Sequence, residues 1–227
     1  MVKRKLTIVF RVEIATLSGP DGRISPAKMD RFAMIASNLR NSGKNLLIVS
    51  SGAIVLGTEK LGQATVPGGR LEMQAAAAVG QAELIRCYQS YFDDYNQIIA
   101  QVLITSDIVN YRQRVDNAGN TFTTLLDMNI IPVVNENDPV STADIDLNDN
   151  YPLALIVAGI AGADIIVVKR DKDDQYLIIP GNGFPASVVD GETRLLAEIN
   201  SLQEIMERSP RAHPPGFPGV VEEICTE

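Results

Sequence analysis

Short, largely apolar runs rich in β-branched residues recur along this chain, at residues 6–12, 46–49, 98–104, 130–134 and 164–168. A strand with one solvated face alternates apolar and polar residues, so a run with almost no polar residue reads as buried on both faces. The segments between these runs carry helical spacing instead. Phe32, Ile35, Ala36 and Leu39 recur every three to four positions, and further helices are expected at 71–91, 117–128 and 153–160. A last amphipathic helix carries Leu195, Leu196, Ile199, Leu202, Ile205 and Met206. Parallel strands need a long crossover between them, usually a helix. The expected fold class is therefore α/β, with a mainly parallel central sheet covered on both faces.

Local signals refine this frame. Ser25 followed by Pro26 reads as an N-cap with proline at the first helical position, and Gly43 ends that helix. In the 71–91 helix, the run of alanines at 75–78 and Gly80 predict a close approach to a neighbouring element, because Gly80 costs about 1 kcal/mol in a helix interior. A short strand is expected at 176–179. No internal repeat and no linker precede the Pro-rich stretch PRAHPPGFPG, so residues 1–208 are expected to form one domain and 209–227 a tail.

Composition removes several function classes. The net charge is −8, which disfavours broad binding to a nucleic-acid backbone. Cys87 and Cys225 make no CxxC pair, which fits a reducing cytoplasm. The basic and apolar start of the chain is interrupted by Arg11 and Glu13, unlike a signal peptide, and no run is long enough to span a membrane. The single histidine, His213, lies in the Pro-rich end, which leaves no Ser-His-Asp or Cys-His catalysis and no histidine metal site. Chemistry here rests on carboxylates, Lys or Arg, and backbone amides, and no metal ligands are assigned. Neither GxxxxGK[ST] nor GxGxxG occurs, so the common phosphate loops are absent.

Two strand ends run into polar loops. The strand at 130–134 breaks into Asn135, Glu136, Asn137 and Asp138, followed by Asp144, Asp146, Asn148, Asp149 and Asn150. The strand at 46–49 runs into Ser50, Ser51, Gly52 and Ala53. Ligands of open α/β sheets sit outside the carboxyl ends of strands. Carboxylates and amides there suit an ammonium group or a polar small molecule, and glycine lets backbone amides approach it. The plain alternatives are a solvated Asn/Asp loop and an ordinary strand-to-helix turn.

Ordered segments of the chain resemble the glutamate 5-kinases of the amino-acid kinase family. They are IVSSGAIVLG at 48–57, QAAAAVGQAELI at 74–85, AQVLITSD at 100–107, NAGNTFTTLL at 117–126, IIPVVNENDPV at 130–140, DLNDN at 146–150 and AGADIIVV at 161–168. The resemblance implies an αβα sandwich and transfer of the γ-phosphoryl of ATP, with magnesium, to the side-chain carboxylate of L-glutamate, the first step of proline biosynthesis. It places glutamate over one half of the sheet edge and nucleotide over the other. Ser51, Gly52, Ala53, Asp138, Asp149 and Asn150 match the substrate-binding positions, where proline competes in the family. Arg170 and Asp171 fall in the nucleotide segment. A dimer or tetramer is implied as well, and the Ala-rich helix is a candidate subunit interface.

The phosphate side departs from the family pattern. The family's Lys-x-Gly-Ser/Thr-Ser loop is Arg11, Val12, Glu13, Ile14 and Ala15 here, so Arg11 stands in the position of the catalytic lysine. A planar guanidinium is no equivalent of a compact ammonium. A Glu13 carboxylate about 4 Å from a phosphate charge would cost about 4 kcal/mol at an effective dielectric near 20. Tyr151 and Asn148 alter the family's Gly-Asp-Asn-Asp motif, and in the family's Thr-Asp-x-x-Gly-Leu segment only Asp171 is kept. The later Gly-Thr-Gly-Gly-Met segment and the C-terminal RNA-modification-type (PUA) domain have no counterpart, so the expected sandwich is truncated on its C-terminal side. Two functions are consistent with this pattern. One is an ATP-dependent glutamate 5-kinase with altered phosphate contacts. The other is an inactive homologue that binds glutamate or proline and acts as a regulatory or partner subunit.

Overall fold

The computed structural model describes residues 5–141, 151–170, 175–181 and 185–208. Its centre is a sheet in which β1 (Thr7–Val12), β2 (Asn45–Ser50), β3 (Ile99–Ile104), β4 (Ile131–Glu136) and β5 (Ile165–Lys169) run parallel. Two antiparallel strands, β6 (Gln175–Pro180) and β7 (Ser187–Asp190), extend it past β5. The order across the sheet is β3-β4-β2-β1-β5-β6-β7. Four of the apolar runs, β1, β2, β4 and β5, end up in the middle of this order with both faces covered, whereas the fifth, β3, forms one edge and is mostly half-buried. β7, at one edge, alternates half-buried and exposed residues.

Period-two alternation divides the core into two layers. Ile8, Phe10, Leu46, Ile48, Ile165 and Val167 face α1 (Pro26–Asn41), α3 (Arg70–Asp93) and α6 (Glu192–Arg208). Val9, Leu47, Val49, Ile166 and Val168 face α4 (Arg112–Asp127) and α5 (Tyr151–Ala161). The first layer is pinned by an edge-on aromatic chain. Phe10 lies 5.2 Å from Phe32, and Phe32 lies 6.3 Å from both Tyr88 and Phe92, measured between ring centroids. Each such pair adds about 0.5–1.5 kcal/mol beyond its buried area.

The expected fold class holds: helices cover both faces of a mainly parallel sheet. Several details differ from the sequence expectation. α4 starts at Arg112, not 117, because its first turn is polar and shows no apolar period. Ser25 does occupy the N-cap of α1 ahead of Pro26, but its side chain makes no capping hydrogen bond. The short helix α2 (Ala53–Lys60) and strand β7 carry too few residues to show a period, and neither was expected.

The close approach at Gly80 is an intrachain one. A Cβ on Gly80 would lie 2.6 Å from the Gly57 nitrogen, and one on Gly57 would lie 2.9 Å from the Gly80 nitrogen. Thus α2 and α3 touch backbone to backbone. Ala76 and Ala77 are fully buried with Ile54 of α2, whereas Ala75 and Ala78 are exposed. The buried half of the alanine run is therefore already covered by this chain's own α2. Among the described residues no helix is long and apolar enough to cross a membrane.

Candidate functional site

The parallel strands all end at one edge of the sheet. Reading across it, the exits of β3, β4, β2, β1 and β5 present Ser106, the 136–141 turn, Ser50–Ser51–Gly52, Arg11–Glu13 and Lys169–Arg170. The chain leaves β1 toward β2 and leaves β5 toward β6, so the crevice between β1 and β5 is the topological switch point of the sheet.

The β4 exit is a closed network of hydrogen bonds. The Glu136 carboxylate accepts from the Ser106 backbone N–H (3.2 Å), the Ser106 hydroxyl (2.8 Å) and the Ser141 hydroxyl (3.0 Å). Its backbone carbonyl accepts from Nε2 of Gln81 on α3 (3.1 Å). The Asn137 N–H continues the ladder to the Ile104 carbonyl (2.8 Å), and the Ser141 N–H closes the turn on Asn137 (3.0 Å). Arg70, at the start of α3, donates to the Ser141 carbonyl (2.9 Å). Asp138 sits at the tip of this turn, half-buried, with no cation bonded to it among the described residues. Burial, and then the charge of Glu136, push its carboxyl up to about 6.

The β2 exit is built from below. Ser50 is fully buried and shares a hydrogen bond of 2.9 Å with the Tyr88 hydroxyl, which burial pushes well above the ordinary phenol range. Ser51 and Gly52 follow, half-buried, and Gly52 stands at the N-cap of α2 with φ +98°. That conformation favours glycine. Ala53 opens α2 and is buried against Gly80, so its backbone position is set by the α2–α3 contact.

At the β1 exit, Arg11 and Glu13 form an ion pair, and the Arg11 guanidinium lies 5.8 Å from the centroid of the Tyr151 ring. Tyr151 is the first residue of α5. Both charged side chains are largely buried, at 11% and 26% exposed. Ile14 is buried against Gly52, where an added Cβ would lie 2.6 Å from the Ile14 Cβ. Next along the edge, Lys169 is buried with its Nζ 5.4 Å from the Tyr176 ring centroid, and Arg170 is exposed in the turn to β6, its N–H bonded to the Gln175 carbonyl (3.0 Å).

Of the residues expected from sequence, the structure brings Arg11, Ser51, Gly52, Ala53, Asp138 and Arg170 to this one edge. Asp149, Asn150 and Asp171 lie outside the described residues. Three contributors carried no sequence assignment. Glu136 and Ser106 hold the Asp138 turn, and Ile14 covers Gly52. Glu136 was visible as one member of a polar cluster, but its partner Ser106 lies thirty residues away, just past the end of β3. Among the described residues no group of three or more His, Cys, Asp or Glu side chains is placed to hold a metal ion.

Comparison with known proteins follows the same outline. The sequence profile of the amino acid kinase family matches residues 15–174. A glutamate 5-kinase of Enterococcus faecalis is 41% identical over 201 residues, covering 87% of this chain and 72% of that protein. A glutamate 5-kinase of Listeria monocytogenes is 36% identical over 210 residues, covering 91% and 74%. A solved structure of UMP kinase from Ureaplasma parvum aligns with 72% of this chain and 68% of its own at 13% identity, with a TM-score of 0.47. With the profile spanning most of the sheet and the glutamate 5-kinases matching over nearly the whole chain, this protein belongs to the amino acid kinase family as a glutamate 5-kinase-like member.

Proposed function

We propose that this chain keeps the amino-acid half of a glutamate 5-kinase site and has closed the phosphate half with its own side chains. It binds L-glutamate, with proline as a competing ligand, through Ser51, Gly52, Ala53 and Asp138, together with Asp149 and Asn150. Its transfer of phosphate from ATP is weak or lost. The observation that carries this reading is the Arg11–Glu13 ion pair beside Tyr151. Phosphoryl transfer depends on positioning and on stabilising charge. Here the Arg11 charge on the β1 side of the switch point is neutralised by Glu13, and Ile14 fills the space over Gly52. The described residues of the β1 end therefore do not fit a phosphate group. In this role the chain would act as a regulatory or partner subunit and assemble as a homo-oligomer.

The alternative is retained ATP-dependent phosphorylation of the glutamate side-chain carboxylate. In that reading Arg11 takes the catalytic position, Arg170 and Asp171 hold the nucleotide, and magnesium accompanies ATP. The 41% identity to the E. faecalis glutamate 5-kinase favours it. Trapping glutamyl phosphate with hydroxylamine separates the two, with the E. faecalis enzyme assayed alongside. We expect hydroxamate formation at least about 100-fold below that enzyme, a loss of roughly 2.7 kcal/mol in transition-state stabilisation. Turnover within tenfold of it would establish the kinase reading instead.

A further inference from the structure

The turn that carries Asp138 is held by a side chain to which the amino-acid reading gives no role. Glu136 is the last residue of β4, and its two carboxylate oxygens accept from the Ser106 N–H, the Ser106 hydroxyl and the Ser141 hydroxyl. Three donors on one carboxylate leave it committed to the protein and not to a ligand. Together these bonds tie three pieces of chain to Glu136: Ser106, with two of them, belongs to the exit of β3, Ser141 closes the turn after Asp138, and Gln81 of α3 holds the Glu136 carbonyl at 3.1 Å. Gln81 is held in turn by Nε2 of Gln101 on β3 (3.3 Å). Behind Asp138 there is thus a fixed second carboxylate, and Arg70, the basic residue bonded to this turn, donates to a carbonyl, that of Ser141.

We propose that Glu136 is a positioning and specificity-determining residue. It clamps the Asp138 turn to the end of β3 and sets a second negative charge behind it. The site then takes an amino acid through its ammonium group and rejects the same dicarboxylate lacking that group. This inference rests on the amino-acid site proposed above. Its physical basis is that two carboxylates, with no cation bonded to them among the described residues, repel an anionic ligand unless the ligand brings a positive charge to them. Discrimination then comes as much from repulsion of the wrong ligand as from attraction of the right one.

The test is calorimetric titration of the full chain with L-glutamate and, separately, glutarate, which differs by the missing amino group. The wild-type protein should bind glutamate at least about tenfold more tightly than glutarate, the ratio set by about 1.4 kcal/mol. Glu136→Gln keeps the size and an acceptor oxygen but removes the charge, and should narrow that ratio by about fivefold. Ser141→Ala loosens the clamp and leaves both charges, so it should weaken both ligands by about threefold with the ratio unchanged. A merely structural role for Glu136 would weaken both ligands equally in Glu136→Gln, and that result would overturn the inference. The wild-type ratio is read without any variant, and equal affinities for the two ligands would overturn it also. Binding of neither ligand by the wild-type chain would instead sink the amino-acid site itself, and this inference with it.

Discussion

At the β4 exit the Asp138 carboxyl lies half-buried with no cation bonded to it among the described residues, whereas at the β1 exit Arg11 is already bonded to Glu13 and stands beside Tyr151. Both places are strand ends of one sheet, and both carry charge. The difference lies in who supplies the counter-charge. A half-buried charge with no bonded counter-charge among the described residues destabilises the protein and is stabilised by a ligand's positive charge. A charge paired with a neighbour two residues away is neutralised without any ligand. The first arrangement describes a binding site, the second a site that the chain occupies itself.

Removing the uncompensated charge should have the largest effect. Asp138→Asn is expected to weaken L-glutamate by about 100-fold, as when one partner of a desolvated charge pair is deleted, and titration calorimetry at pH 8 reads it directly. Protonation should do the same reversibly. With the Asp138 carboxyl pushed up to about 6, glutamate affinity of the wild-type chain should hold above that pH and fall as pH drops through it. Below that point it should lose about tenfold per unit. An affinity flat between pH 7 and pH 5 would detach Asp138 from the ligand.

The β1 exit calls for the opposite intervention. Glu13→Gln removes the internal counter-charge and should tighten Mg-ATP by about tenfold relative to wild type, since a carboxylate near a phosphate costs up to about 4 kcal/mol. A smaller gain would leave Ile14, packed on Gly52, as the dominant obstruction. The comparison also has a signature in stability. The folded state holds the Asp138 proton more tightly than the unfolded chain, so the ionised carboxylate costs stability above about pH 6, and the penalty disappears as pH falls toward 4. Asp138→Asn should therefore raise the urea-unfolding free energy by about 1 kcal/mol at pH 8, after discounting for solvent screening, and by nothing near pH 4. The smallest effect is expected at Tyr151→Leu, which removes the ring beside Arg11. It should cost about 0.5–1 kcal/mol of stability and leave glutamate affinity unchanged.

How far these two exits could be read from the sequence differs for physical reasons. The β4 exit was legible because a buried β-branched strand ending in Asn135, Glu136, Asn137 and Asp138 is a local pattern. The Arg11–Glu13 pair was legible in principle too, since Glu13 continues β1 in extended backbone and residues two apart there share a face. From the sequence alone, Glu13 shows only as a carboxylate opposed to phosphate, because nothing local marks it as the partner of Arg11. Ile14 over Gly52 was not legible at all. It depends on the parallel register that sets Val12 beside Ser50, and register joins segments almost forty residues apart. The Glu136 clamp failed for the same reason, because Ser106 reaches it through the β3–β4 pairing of Ile104 with Glu136. The α2–α3 contact was half legible. Gly80 announced a close approach, but its partner Gly57 sits in a helix of eight residues, too short to show a period.

Titration of the wild-type chain with L-glutamate and with Mg-ATP, in separate runs at pH 8, tests the contrast between the two exits most directly. The account predicts saturable heat with glutamate and none with Mg-ATP at the same concentrations. Saturable heat with Mg-ATP, or none with glutamate, would contradict it.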